Sequence, residues 1–142
     1  MGAWNGILKS LHSALIDELN ERYPDEKPEL GLPSRSAGWA LAPQSRSALL
    51  VPVAAEGGAG IAALGALSSQ TEADLEQLFR NLLKRAAPDF ARLEISPRFA
   101  KAVFSPNGSL PKGIPAPAMV IWLPISLSLK KERFVFDLGV GV

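Results

Sequence analysis

The sequence predicts a single α+β domain, an antiparallel sheet with helices packed against it. Two segments with helical spacing of apolar residues predict the helices, and a closing third that alternates with period two predicts the sheet. With 142 residues, 47% of them hydrophobic, the chain is long enough for one domain with a sizeable core, spanning residues 1–142.

Residues 4–22 carry Trp4, Ile7, Leu8, Leu11, Leu15 and Leu19 on one face of a helix. "YPDEKPELGLPSRS" (23–36) breaks that helix with three prolines and Gly31, and reads as a loop. Ala37–Ala42 and Ser47–Val53 read as strands, and "PQSR" between them gives a turn that makes the pair a hairpin. The small-residue stretch 55–67 reads as a short helix. In the next segment Ser69 and Glu72 match a Ser-x-x-Glu capping box. Leu75, Leu78, Phe79, Leu82, Leu83 and Ala86 then follow at helical spacing. Acids gather in the first turn and Arg80, Lys84 and Arg85 in the last, which suits the helix dipole, and Pro88 is expected to stop the helix.

"RFAKAVF" (98–104) reads as a strand and "NGSLPKGIPAPA" (107–118) as a loop. "MVIWLPISLSL" (119–129) reads as a long strand in which Pro124 marks an edge or a bulge. Ile125, Leu127 and Leu129 alternate with serines. Phe134, Phe136, Leu138, Val140 and Val142 alternate with Val135, Asp137, Gly139 and Gly141. The two segments are expected to pair antiparallel around "KKER", with Phe134, Phe136 and Leu138 facing the helices. A final strand so apolar would be an exposed edge unless covered, which predicts a homodimer.

Composition narrows the function. Fifteen basic and 14 acidic residues give a net charge of +1, with no basic block, so nucleic acid is not an expected partner. The chain has no cysteine, which excludes a disulfide framework and a thiol nucleophile. No apolar run approaches the roughly 20 residues of a membrane span. "MGAWNGILKS" has neither the pattern of a signal peptide nor, with Gly6, that of a myristoylation site. The expectation is a cytoplasmic protein without membrane insertion.

Three places invite chemistry. "GAGIAA" (58–63) fits the dinucleotide pattern Gly-x-Gly-x-x-Ala, but the acid that should end a second strand about 20 residues on falls in a helix, so close packing of small residues is the better reading. His12, the single histidine, lies near the polar side of its helix with no nucleophile elbow in the chain, and reads as a surface residue. With one histidine and no cysteine, no metal site is expected. The helix after Ser69 is different. At about 100° per residue, Asp74 and Gln77 lie about 60° apart with Asn81 between them, whereas Glu76 stands about 140° from Asn81. A cooperating acid and amide on this helix are therefore Asp74 and Gln77. Such a pair can hold a cation and orient a water toward a phosphoryl group, or can be a solvated helix edge.

"SALLVPVAAEGGAGIAALGAL", "TEADLEQLFRNLLKRA" and "LEISPRFAKAVFSPNGSLPKGIPAPAMVIWLPISLSLKKERFVFDLGV" resemble, in order and spacing, the strand-to-helix, second-helix and closing segments of the CheC/CheX chemotaxis phosphatases. The chain is closest to CheX-like members and is similar also to the middle domain of the flagellar switch protein FliM. The resemblance implies a CheC-like fold for residues 1–142 and a chemotaxis protein that binds, and in the phosphatases dephosphorylates, a phosphorylated CheY-type response regulator. It also implies a homodimer, and no cofactor of the chain's own, because the partner brings the phosphoryl group and its magnesium. The phosphatases carry Glu-x-x-Asn on the second helix, the acid engaging a lysine of the regulator and the amide positioning the attacking water. Here Asp74-x-x-Gln77 occupies the comparable place, with the acid one methylene shorter and the amide one longer. The alternative is a non-catalytic flagellar-switch or adaptor module of the FliM kind.

Overall fold

The computed structural model describes residues 2–55, 58–67, 70–129 and 132–142. Helices α1 (Gly2–Arg22) and α2 (Glu72–Arg92) share one apolar cluster with alternate residues of the sheet. The strands are β1 (Glu29–Leu30), β2 (Ser34–Ala37), β3 (Ser47–Ala55), β4 (Gly58–Ala66), β5 (Arg98–Phe99), β6 (Val103–Ser105), β7 (Met119–Leu129) and β8 (Glu132–Gly141). All pairings are antiparallel. The order is β1-β7-β8-β4-β3-β5, with β2 also on β7 and β6 also on β3.

α1 buries Trp4, Ile7, Leu8, Leu11, Leu15 and Leu19, as its spacing predicts. α2 buries Leu75, Leu78, Phe79, Leu82, Ala86 and Phe90. Each large apolar side chain withdrawn from water this way contributes about 1.5–3 kcal/mol.

Both ends of α2 differ from expectation. The N-cap is Thr71, not Ser69, which lies outside the described residues. Thr71 Oγ1 accepts from the Asp74 N–H at 3.1 Å, and Asp74 Oδ2 accepts from the Thr71 N–H at 3.2 Å, so the box is Thr-x-x-Asp. Pro88 does not stop the helix, which runs on to Arg92, the one basic residue of its last turn. An interior proline forfeits a backbone hydrogen bond. The last turn is retained because Phe90 is buried against Phe99, ring centroids 6.2 Å apart. Past the C-cap Leu93, the chain turns away at Glu94, whose φ of 58° is left-handed. There the Glu94 N–H reaches the Ala91 carbonyl, and the Ile95 N–H the Phe90 carbonyl, a Schellman motif.

The largest correction concerns residues 55–67. They form no helix: Gly58–Ala66 is β4, paired along its length with β3 from Ser47↔Ala66 to Ala55↔Gly58. Small residues read as helical by propensity, yet here both faces of the strand are crowded. A Cβ at Gly60 would run into the Gly141 carbonyl and lie 2.9 Å from the Trp4 ring of α1, and Ala63 packs on the far face with Trp122. Ala37–Ala42 is likewise not a strand paired with β3. β2 covers only Ser34–Ala37 and pairs with β7, and the loop after it crosses the far face of the sheet. "RFAKAVF" divides into β5 and β6, which edge β3 in turn.

β7 and β8 pair in the expected register, Ile125 opposite Phe136 and Leu127 opposite Phe134. Phe136, Leu138 and Val140 join the helix-side core, with Phe134 packed against it. Of the expected turn, Lys130 and Lys131 lie outside the described residues, while Glu132 and Arg133 already belong to β8. Pro124 accepts from the Gly31 N–H, so its missing donor faces the interval between β1 and β2 and costs β8 nothing. Pro52 repeats the device, accepting from the Ala100 N–H between β5 and β6. β8 is no edge, since β7 and β4 flank it, so the premise that suggested a dimer through an uncovered final strand falls. On the far face Trp39 and Trp122 meet edge to face at 5.7 Å, donating to the carbonyls of Gly108 and Ala40. Gly139 leaves room for the Trp122 ring, which a Cβ would approach to 2.6 Å. Among the described residues no helix is long and apolar enough to cross a membrane.

Candidate functional site

The polar face of α2 stands on a fixed base. With Leu75, Leu78 and Leu82 buried, Asp74 and Gln77 are both exposed and Asn81 is half-buried. The capping box engages one oxygen of Asp74. Gln77 bonds along the helix instead: its Nε2 donates to Asn81 Oδ1 at 3.0 Å. The structure therefore joins Gln77 to Asn81, while Asp74 is held at the cap one turn earlier.

The chain of bonds continues into α1. Asn81 Nδ2 donates to Glu18 Oε2 at 2.9 Å. Arg85 Nε donates to Glu18 Oε1 at 2.8 Å and also reaches Glu21, and Arg22 Nε donates to Glu18 Oε2 at 3.0 Å. The Glu18 side chain is only 8% exposed. Burial pushes its carboxyl up, but the hydrogen bonds from Asn81 and Arg85, together with the charges of Arg22 and Arg85, outweigh this and hold it below the usual carboxylate range. Glu18, Glu21, Asn81, Lys84 and Arg85 line an open groove of about 360 Å³ between the helices.

Sequence reasoning missed Glu18, although a signal was present. It lies three residues after Leu15 and seven after Leu11, in the core-side stripe of α1, and an acid in such a place needs a partner from the facing element. The partners on α2 are Asn81 and Arg85.

Glu76 looks elsewhere, as its angle predicts. It pairs with Arg80 at 3.9 Å and lines a separate cleft of about 300 Å³ with Phe79, Leu83 and Lys101. His12 is half-buried, and burial lowers its pKa. Among the described residues no hydrogen bond ties it to a serine or an acid, and no group of three or more histidines, cysteines or acids could hold a metal. Gly58–Ile61 is strand rather than a helix entry, so the dinucleotide pattern has no phosphate cradle. What the α2 face presents to solvent is one carboxylate held at the helix cap and one amide anchored through Asn81 to α1.

The arrangement of two helices over this antiparallel sheet is the CheC-like fold, shared by chemotaxis proteins and a flagellar switch domain. The chain is similar to the chemotaxis protein CheX of Vibrio vulnificus, with a TM-score of 0.61, 10% identity, and coverage of 92% of this chain and 96% of that one. It is similar to CheX of Borrelia burgdorferi, solved in a CheX–CheY–BeF3–Mg2+ complex (TM-score 0.52, 13% identity, 94% and 95% covered). The FliM middle domain of H. pylori gives a TM-score of 0.57 at 12% identity, with 95% and 91% covered. No family model and no curated protein matches the sequence.

Proposed function

We propose that this domain docks a phosphorylated receiver domain of the CheY type on the polar face of α2, with Asp74 and Gln77 in the contact. The observation that carries the reading is that both side chains are exposed on a helix whose opposite face is locked into the core. They stand on a fold that, in the Borrelia protein, is found in complex with CheY.

Dephosphorylation is the finer reading. Gln77 would hold a water in line with the phosphoryl group. As the water oxygen bonds to phosphorus, the bond from phosphorus to the receiver's aspartyl oxygen breaks, releasing the carboxylate and inorganic phosphate. Asp74 would engage a lysine of the receiver. The receiver supplies the phosphoryl group and its magnesium, so the domain contributes positioning alone. A second reading, the non-catalytic adaptor, is favoured by the engagement of Asp74 in the cap, since a short acid already bonded to its own backbone reaches outward less than a glutamate would.

The test is the decay of a phosphorylated CheY-type receiver from the same organism, with and without the domain. Catalysis predicts acceleration that Gln77→Ala abolishes while binding survives, and that Asp74→Ala weakens along with binding. Binding without acceleration establishes the adaptor, and absence of binding refutes the docking reading.

A further inference from the structure

We infer that Glu18 is a positioning residue that fixes the polarity of the Gln77 amide, so that Gln77 turns its carbonyl oxygen and not its NH2 toward whatever docks on α2. The role of that polarity rests on the docking reading, but the polarity itself is a property of the free protein.

A carboxylate can only accept hydrogen bonds. Glu18 Oε2, 2.9 Å from Asn81 Nδ2, therefore obliges Asn81 to turn its NH2 toward α1. The atom that Asn81 leaves along α2 is its oxygen, and an oxygen there accepts from Gln77 Nε2 at 3.0 Å. With one N–H of Nε2 held toward Asn81, Gln77 turns Oε1 to the outer side of the helix. Among the described residues that oxygen meets only a long contact, 3.4 Å from Arg80 Nη1. Either orientation of a free amide satisfies water equally well, and the long, exposed Arg80 contact gives the Gln77–Asn81 pair only a weak preferred sense. The buried acid, bonded to Asn81 at 2.9 Å, fixes it. It is itself immobilised by Arg85 and Arg22, which accept nothing and so cannot be replaced by a reversed arrangement.

The sense matters at a docking surface. An outward carbonyl oxygen accepts a hydrogen from a water or from an N–H of the partner. It thereby leaves the water's lone pair free for attack. An outward NH2 would instead donate to the water oxygen and make it a poorer nucleophile.

Glu18→Gln tests this with little change of shape. The new amide at position 18 can donate as well as accept, so Asn81 and Gln77 gain the reversed orientation. The readout is hydrogen exchange of the Gln77 side-chain NH2 in ¹⁵N-labelled protein, its resonances identified by their loss in Gln77→Ala. One net hydrogen bond predicts protection of roughly fivefold in the wild type. Glu18→Gln and Asn81→Ala should both reduce it toward none. Combining Glu18→Gln with Asn81→Asp moves the single acceptor-only group one step along the chain, so it again accepts from Gln77 and protection returns. A merely structural role for Glu18 predicts no such rescue. Protection unchanged in Glu18→Gln overturns the inference, whatever Asn81→Ala does. So does a double variant with wild-type circular dichroism and no recovered protection. With phosphorylated receiver present, kcat should follow Gln77 protection across the variants while KM stays constant, and a kcat indifferent to protection overturns the functional role. A wild type that neither binds nor dephosphorylates the receiver overturns the docking reading instead, and the exchange measurement then decides the polarity separately.

Discussion

Removing the Glu18 side chain should destabilise the domain more than any exposed acid could. Glu18→Ala takes away one hydrogen bond to Asn81 and the ion pairs to Arg85 and Arg22, whose side chains are 30% and 41% exposed. The Asn81 bond, charge-assisted and part-buried, contributes about 1.5–2 kcal/mol. The two arginines retain water, so their pairs with Glu18 are screened and add less than the Asn81 bond. The loss is about 2 kcal/mol, which at a urea slope of about 2 kcal/mol per molar moves the midpoint down by about 1 M. Far-ultraviolet circular dichroism in urea measures it. The effect must also depend on pH with a definite sign. The folded pKa of Glu18 is depressed, so its contribution is complete above the unfolded value of about 4.3 and is lost as pH falls through the lower folded value. The gap between wild type and Glu18→Ala should therefore close in strongly acidic urea. A loss under about 0.5 kcal/mol at neutral pH, or a gap unchanged into acid, would refute the reasoning.

Three further outcomes are expected. Glu94→Gly should stabilise the domain by about 0.5–1 kcal/mol, because glycine adopts without strain the left-handed conformation that Glu94 holds at the end of α2; a loss in thermal or urea stability would count against the Schellman assignment. Asp137 is buried, which raises its carboxyl pKa, while the hydrogen bond from Ser45 lowers it in part. Its raised folded value means that stability is lost as pH rises from the ordinary carboxylate range through that value, so Asp137→Asn should flatten the stability profile there, and an unchanged slope would contradict it. The homodimer is retained as a proposal on the resemblance to CheX alone, and light scattering that returns a monomer mass at tens of micromolar would remove it.

How legible this molecule was depends on what each residue answers to. α1, α2 and the β7–β8 register were readable because their apolar positions face a single core at a fixed period, and periodicity is a local property of the chain. β4 was not, because Gly58–Ala66 takes its conformation from β3 and β8 on either side, and its small residues report room for Trp4 at Gly60 and for Ser45 at Gly65 rather than a preference of their own. Pro88 misled for the same reason: burial of Phe90 beyond it decides where α2 ends. At the site, the exposure of Asp74 and Gln77 followed from helix geometry. The bond from Asn81 to Glu18 joins residues 63 positions apart and could only be anticipated from the acid in the apolar stripe of α1.

The central claim is that the polar face of α2 is the docking surface. Chemical-shift perturbation of the ¹⁵N-labelled domain, titrated with a beryllofluoride-activated CheY-type receiver from the same organism, tests it most directly. The account predicts saturable shifts centred on Asp74, Gln77, Asn81 and Lys84, weakened in Asp74→Ala. Shifts confined to the exposed Leu30 and Leu32 beside β7, or to the far face around Trp39, would place the partner elsewhere and contradict it.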